Sequence, residues 1–378
     1  MSIVLHQIPK NKSLTHILTP DWHYNNNCYF MNISDKLIEQ WSIDIFNAVK
    51  LYGVSVFAGH EDDDINGKIN YNYFRKNIRK VLQYPVNQKT DNLVLSSTDR
   101  TRSPKCESVS NEIPVIVTAG STRFIPRFRN LFRSIEKSLL PFYKNVKIIF
   151  YDLGMSQTAL EELKNMCLQC EIRLFPFHMF PSYCKDDLKN YIWKPLIIHK
   201  ALQEFDFVMW VDSSVEFRGG RKVFDDIFSR AKTVGVQLVS LDNIPKELGP
   251  ISYMTKAETF RFLNESLEDF VKFPEVEANR LIFKRTPFIM NAIIRPWVGC
   301  ALTENCMGDK HTRIVISCDR WIGPIPLRFI LKSFLGYDSC HRFDQSVLSI
   351  ILTRIFGKYR HVVHTKYIKE WVVNKVDI

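Results

Sequence analysis

Residues 206–217 read DFVMWVDSSVEF, and this stretch decides the fold. Phe207 to Val211 are five consecutive apolar residues, as a strand buried on both faces requires. Asp212 ends the run. In open α/β sheets ligands gather at the carboxyl ends of the strands, so a carboxylate there is placed for metal or ligand chemistry. If extended geometry continues past Asp212, then Asp212, Ser214 and Glu216 share one face, because side chains alternate with period two. Three oxygen-bearing side chains on one face could share a hard cation. A plainer reading stands beside it: Asp-Ser-Ser readily caps a turn, and Asp212 would then serve the backbone alone.

Working outward, the same grammar repeats. IPVIVTA (113–119) is a short β-branched run that reads as a buried strand, and residues 124–140 follow as an amphipathic helix with Phe128, Leu131, Phe132 and Ile135 on one side. VKIIFYDLG (146–154) is a second buried strand ending in an Asp-Leu-Gly turn. Residues 156–168 read as a helix, EIRLFPF (171–177) as a third strand, and 191–204 as the helix leading into Phe207. Strands alternating with helices imply a parallel sheet with crossovers. No GxGxxG follows the first strand, which argues against a dinucleotide enzyme on a Rossmann-like sheet.

The chain before this region has a different character. Residues 1–110 are rich in Asn, Asp and Lys. Two helices are expected there, one over 35–52 with Leu37, Ile38, Trp41, Ile45 and Val49 at helical spacing, and one over 70–84. The polar stretch 87–111 reads as a linker. The expected division is an N-terminal extension and linker over 1–110 and an α/β domain over 111–378.

With 378 residues and 46% hydrophobic content the chain can bury a sizeable core. Its net charge of +11 suits an anionic partner. No dense Lys/Arg block and no nucleic-acid motif is present, so a nucleic acid is not expected. Arg123, Arg127, Arg129 and Arg133 come closest to a basic cluster, and the last two lie one helical turn apart, as on a solvated face.

The nine cysteines show no zinc pattern. Cys167 and Cys170 make a lone CxxC that does not open a helix after a strand, which disfavours a thioredoxin-like site. Cys300 with Cys306, and Cys318 with Cys340, are candidate disulfides. Asn11, Asn32 and Asn264 begin Asn-x-Ser sequons, which tilt toward the secretory route. No run approaches the ~20 apolar residues of a membrane span. The opening MSIVLHQIPKNKS lacks the apolar core of a signal peptide, which leaves the cytoplasm open.

Four segments in order, IPVIVTAGS, KIIFYDLGMS, YIWKPLIIHKALQEFDFVMWVDSSVEF and CHRFDQSVLSIIL, resemble a family of nematode proteins known as domain of unknown function 1647. That family is similar to GT-A glycosyltransferases, and the resemblance covers about residues 111–370. It implies a GT-A-like open mixed sheet with a Rossmann-like first half, flanked by helices. It also implies sugar transfer from a nucleotide-sugar donor to a glycan or glycoprotein acceptor, with Mn²⁺ or Mg²⁺ bridging the donor diphosphate as a Lewis acid. The location it implies is the Golgi or the secretory lumen.

Residue by residue, Asp212 matches the first acid of the Asp-x-Asp metal motif, while Ser214 stands where the second acid belongs. Either Glu216 compensates or basic side chains take over. Thr118, Ala119 and Ser121 match the first strand and loop that contact the nucleotide. Asp152 sits where a nucleotide-recognising acid is often found, and could equally cap its own turn. Lys194 matches a lysine that approaches the phosphates or the sugar. Asp344 and Gln345 match an Asp-Gln pair facing the reacting sugar. Asp344 also suits the N-cap of a helix from Gln345 onward, and is a candidate base for an acceptor hydroxyl.

Trp297 could stack on a sugar and Glu304 bond an acceptor hydroxyl, against a core Trp and a solvated Glu. The spacing of His361 and His364 does not match the His-containing metal segment of some GT-A families, and a structural role is favoured for both. The missing second acid supports one alternative, a catalytically inactive GT-A-like module that binds glycans or proteins.

Overall fold

A computed structural model describes residues 33–52, 71–86, 113–240, 250–308, 341–366 and 371–373. The first strands follow from the apolar runs: β1 (Val115–Gly120), β2 (Ile148–Asp152), β3 (Cys170–Leu174) and β4 (Phe207–Val211) pair in parallel in the order β3-β2-β1-β4. The sheet then turns mixed. β7 (Arg280–Lys284) runs antiparallel to β4 and to β6 (Val236–Ser240), and β8 (His364–Lys366) closes the far edge parallel to β6. The complete order is β3-β2-β1-β4-β7-β6-β8. A separate ribbon pairs β5 (Val215–Phe217) with β9 (Trp371–Val373). This is the open mixed sheet with a parallel, Rossmann-like first half that the family resemblance implied.

Period two sorts the strand side chains into two cores. Phe207, Met209 and Val211 face one core, whereas Val208 and Trp210 face the other. The first core is closed by α3 (Ile125–Ser138), α4 (Gln157–Met166) and α6 (Arg221–Val234). The second lies under α5 (Trp193–Glu204), α8 (Arg295–Ala301) and α9 (Phe343–Phe356), with the short α7 (Ala257–Phe262) beside them. Helices on both faces cover the sheet, as strands that are apolar on both sides demand.

The stretch read as an extension contributes to the second core. α1 (Asp35–Tyr52) and α2 (Tyr71–Leu82) bury Ile38, Trp41, Ile45, Phe74 and Ile78 in the same cluster as the sheet. The linker 87–111, the sequons at Asn11 and Asn32, and the Cys318–Cys340 pair lie outside the described residues.

Two glycines fix local geometry. Gly235 ends α6 at φ +88°, the left-handed conformation that a helix C-terminus favours in glycine. Gly120 closes β1 where a Cβ would meet ring carbons of Phe128 at 2.5 and 2.6 Å, so α3 can pack onto the strand only over a glycine. Cys167–Cys170 and Cys300–Cys306 are disulfides, and Cys184 is a buried free thiol. The first bridge ties the end of α4 to the start of β3, where the lone CxxC has a purely structural setting. Among the described residues no helix is long and apolar enough to cross a membrane.

Candidate functional site

The site forms where the parallel half of the sheet ends. Trp210 pairs with Val117 of β1, and Asp212 lies two residues further on, just past β4. The alternation that puts Val208 and Trp210 on the α5 side carries Asp212 to the same side. There its Oδ1 accepts from Trp210 Nε1 at 2.6 Å and pairs with Lys194 Nζ at 3.2 Å. Its backbone N–H donates to Asn279 O at 2.9 Å.

The extended run does not continue. Val215 N–H donates to Asp212 O at 3.0 Å, so a turn follows Asp212. Glu216 is carried into the β5/β9 ribbon, where Arg218 contacts it at 3.1 Å. The single face expected for Asp212, Ser214 and Glu216 is therefore broken by the turn. Among the described residues no group of three or more His, Cys, Asp or Glu is gathered to hold a metal.

Lys194 is brought in by the first turn of α5 and is 3% exposed. Its ammonium pairs with Asp212 Oδ1 and, at 2.8 Å, with Asp344 Oδ2, and it donates to Ala278 O at 3.3 Å. The faces of Tyr191 and Trp210 lie 5.0 and 5.6 Å from it, close enough for cation–π attraction. Burial alone would discharge this lysine, but Asp212 and then Asp344 outweigh it and hold the ammonium charged, its pKa well above the usual range.

Asp344 sits in the first turn of α9, where a helix N-terminus favours a carboxylate. The cap position belongs to Arg342, because the helix already begins at Phe343, two residues earlier than the sequence suggested. Burial pushes the Asp344 carboxyl up, with Lys194 opposing.

Two of the three charged partners follow a strained residue. Tyr191, three residues before Lys194, has φ +52°, and Phe343, immediately before Asp344, has φ +49°. Bulky residues adopt this conformation at a cost of about 1–3 kcal/mol and do so where the surroundings over-determine them, which is often at functional sites.

Gln345 faces a neighbour that the sequence did not flag. Its Nε2 donates to Glu275 Oε2 at 2.7 Å, and Ser346 Oγ donates to Glu275 Oε1 at 2.7 Å. Glu275 is fully buried, and burial raises its pKa to about 7 against the pull of Arg342. Arg280, at the start of β7, was also missed. Its side chain is wholly buried and pairs with Glu277 at 2.6 Å, yet Nη1 has no hydrogen-bond partner among the described residues. It acts electrostatically on Asp212, and burial pulls its pKa down. Both residues lie in loops or short strands whose sequence carries no periodic signal.

The remaining expected positions divide. Thr118 and Ala119 are buried in β1, and Thr118 Oγ1 lacks a partner among the described residues. Ser121 follows at the strand end and its carbonyl accepts from Phe124 N–H. Asp152 caps its own turn, accepting from Gly154 and Met155 N–H at 2.7 and 2.6 Å. Trp297 is fully buried and donates from Nε1 to Asp344 O at 3.0 Å, so it supports the site from the core and cannot stack on a ligand there. Glu304 is exposed. His361 is buried, and burial with Arg360 lowers the His364 pKa to about 3, which keeps that imidazole neutral.

A known family overlaps this frame. The profile of a family described as "Protein of unknown function (DUF1647)" matches residues 79–199. The match runs from α2 into α5, takes in Lys194, and stops before Asp212 and Asp344. No curated protein matches the sequence.

Among solved structures the chain is similar to glycosyltransferases. Mouse xyloside xylosyltransferase 1 in its apo form is 8% identical over 67% of this chain and 84% of its own, with a TM-score of 0.37. Core-mannan synthase A from Aspergillus fumigatus, in its Mn/GDP form, is 11% identical over 64% and 70%, also at 0.37. The bifunctional glycosyltransferase WbbM, apo, is 12% identical over 50% of this chain at a TM-score of 0.31, and this chain spans only 35% of its length. Likeness at this level carries no inference about donor, acceptor or metal.

Proposed function

We propose that the protein transfers a sugar from a nucleotide-sugar donor to a glycan or glycoprotein acceptor, with Lys194, Asp212 and Asp344 at the reacting centre. The observation that carries this reading is the buried ammonium of Lys194 held between two carboxylates at the carboxyl end of β4. Once a bound metal or substrate draws Asp212 away from it, a fixed positive charge in a water-poor site would stabilise charge developing on a departing diphosphate. Arg280 adds a second buried cation with an uncommitted donor beside Asp212. In this reading Asp344, raised by burial, accepts the acceptor's hydroxyl proton, and Glu275 fixes the amide of Gln345 next to it. Thr118, Ala119 and Ser121 lie at the neighbouring strand end, where small side chains let a nucleotide approach the backbone.

The residues present suit a divalent cation only as a joint ligand with the substrate. Asp212 is one-quarter exposed, and both its side-chain contacts fall on Oδ1, so Oδ2 is the oxygen to hold Mn²⁺ or Mg²⁺. Ser214 and Glu216 are the nearest helpers in sequence. Mg²⁺ is commonly held by one or two carboxylates plus substrate phosphates, and such an ion supplies Lewis-acid stabilisation of the diphosphate. Two disulfides and the exposed sequon at Asn264 support a Golgi or secretory-lumen setting.

The test is a thermal-shift and turnover screen against UDP- and GDP-sugars, with and without Mn²⁺, on wild type and Asp212→Asn. A donor that raises the melting temperature only in wild type, and is consumed when acceptor glycans are added, supports the transferase. Donor binding without turnover points to the inactive binding module that Ser214 favours. No binding of any nucleotide sugar by folded protein ends the proposal.

A further inference from the structure

A second charged feature lies away from the Lys194 cluster, on α2. A cavity of about 480 Å³ is lined by Arg75, Lys76, Arg79, Lys80, Tyr84 and Asn264, with no carboxylate in its wall. This volume falls in the range of small-molecule sites. The four cations occupy two adjacent i, i+4 stripes of one helix, a spacing at which like charges repel and destabilise. Such an arrangement survives where something else holds it.

Part of that support is internal. Glu265, with its side chain fully buried, sits behind the wall and accepts from Tyr84 OH, from Lys80 Nζ at 2.8 Å and from Arg354 Nε at 2.8 Å. Arg79 pairs with Asp35 at 2.6 Å, and Arg354 with Asp269 at 2.6 Å. These contacts lock Tyr84, Lys80 and Arg79 into a preorganised wall. They do not neutralise it. Arg75, Lys76, Arg79, Lys80 and Arg354 face three carboxylates, Asp35, Glu265 and Asp269, so two positive charges remain. Lys76 makes no ion pair among the described residues, and Arg75 Nε is buried with no hydrogen-bond partner there. A guanidinium nitrogen out of water without an acceptor is costly, which leaves Arg75, with Lys76, the least satisfied cation of the wall.

We infer that this cavity is a binding site for a small organic ligand carrying a phosphate or sulfate group, engaged by Arg75 and Lys76. The cavity exceeds what a lone oxyanion fills and suits a sugar-sized body. The Arg fork and the Lys point charge match tetrahedral oxyanions. The inference is independent of the role assigned to Lys194.

The experiment uses the full chain and titrates glucose 6-phosphate, glucose 6-sulfate, inorganic phosphate and glucose by calorimetry at low and at physiological salt. At least one of the two sugar esters binds, and more tightly than inorganic phosphate; glucose does not bind, and affinity falls as salt rises. Whichever anion binds tightest tells a phosphate ester from a sulfate ester or from the free ion. Arg75→Gln/Lys76→Gln weakens that binding at least tenfold, while Asp212→Asn leaves it unchanged. If the double variant does not fold, Lys76→Gln alone, at an exposed position, is read for at least a threefold loss. Failure of both esters to bind, or tighter binding of inorganic phosphate than of either ester, overturns the inference. So does binding that the Arg75 and Lys76 variants leave intact.

Discussion

Replacing Lys194 by Met keeps the length of the side chain and removes its charge. Asp344, only 5% exposed, then has no counter-ion, whereas Asp212 at 25% exposure can draw on water. The cost is therefore concentrated at Asp344, and it has a ceiling. Sooner than remain as an isolated buried anion, the carboxyl takes up a proton. From its ordinary value of 3.8, full protonation costs about 4 kcal/mol at pH 7 and about 2 kcal/mol at pH 5. The first figure falls in the range of about 3–5 kcal/mol seen when one partner of a buried ion pair is removed.

The expected signature is a loss of stability that shrinks between pH 7 and pH 5 by up to about 3 kcal/mol, less the part that the raised Asp344 carboxyl already shows in wild type. Lys194→Met/Asp344→Asn, with no stranded acid, should recover most of the pH 7 loss. Urea unfolding of wild type and both variants at the two pH values measures this. Equal destabilisation at both pH values, with no recovery in the double variant, would refute the claim that Lys194 and Asp344 are a coupled buried pair.

Two more substitutions and one mapping experiment follow from the same structure. Glu275 has a folded pKa of about 7 against an ordinary 4.5, so wild type loses stability from this group as pH rises through that window. His199, lowered by burial to about 4, acts oppositely: its contribution is full above 6.5 and is lost as pH falls toward 4. Glu275→Gln should therefore gain on wild type by about 3 kcal/mol between pH 4.5 and pH 7, in chemical denaturation across that range; a pH-independent difference would show that Glu275 ionises normally. Gly120→Ala pushes a methyl into the Phe128 ring and should cost about 1–3 kcal/mol, read as a lowered melting temperature. Peptide mapping without reduction should recover Cys167–Cys170 and Cys300–Cys306 as linked pairs, with Cys184 unlabelled by alkylating agents until the protein is denatured.

What was legible in the sequence follows a physical division. Strands β1, β2 and β4 are continuous apolar runs, and α3 carries its apolar residues on one face, so composition and period reveal them. The helix α5 buries nine of its twelve residues, and α9 twelve of its fourteen. Neither has a polar face to mark its phase, so both were placed through resemblance and through position next to a strand or an Asp. The antiparallel insertion of β7 between β4 and β6 was not visible. Its pairing partners lie 69 or more residues apart for β4 and over 40 for β6, and RLIFK is too short to announce a strand direction.

The site shows the same division. Asp212 is picked out by type and by place at a strand's end, and Lys194 and Asp344 through the family resemblance, but three positions spread over 150 residues do not announce a salt-bridged triad. That relation comes from the sheet. Period two turns Asp212 toward α5, the left-handed Tyr191 starts α5 so that Lys194 points inward, and the left-handed Phe343 sets α9 so that Asp344 meets it. The expected shared face of Asp212, Ser214 and Glu216 is lost for a reason of the same kind. Period two holds only while the chain is extended, and the hydrogen bond from Val215 to Asp212 ends that extension one residue after the strand. Local pattern thus finds the charged residues, and tertiary geometry decides which of them meet. The ion pair at Lys194 is the relation on which the proposed chemistry depends, which makes its coupling energy the quantity to measure before any donor is sought.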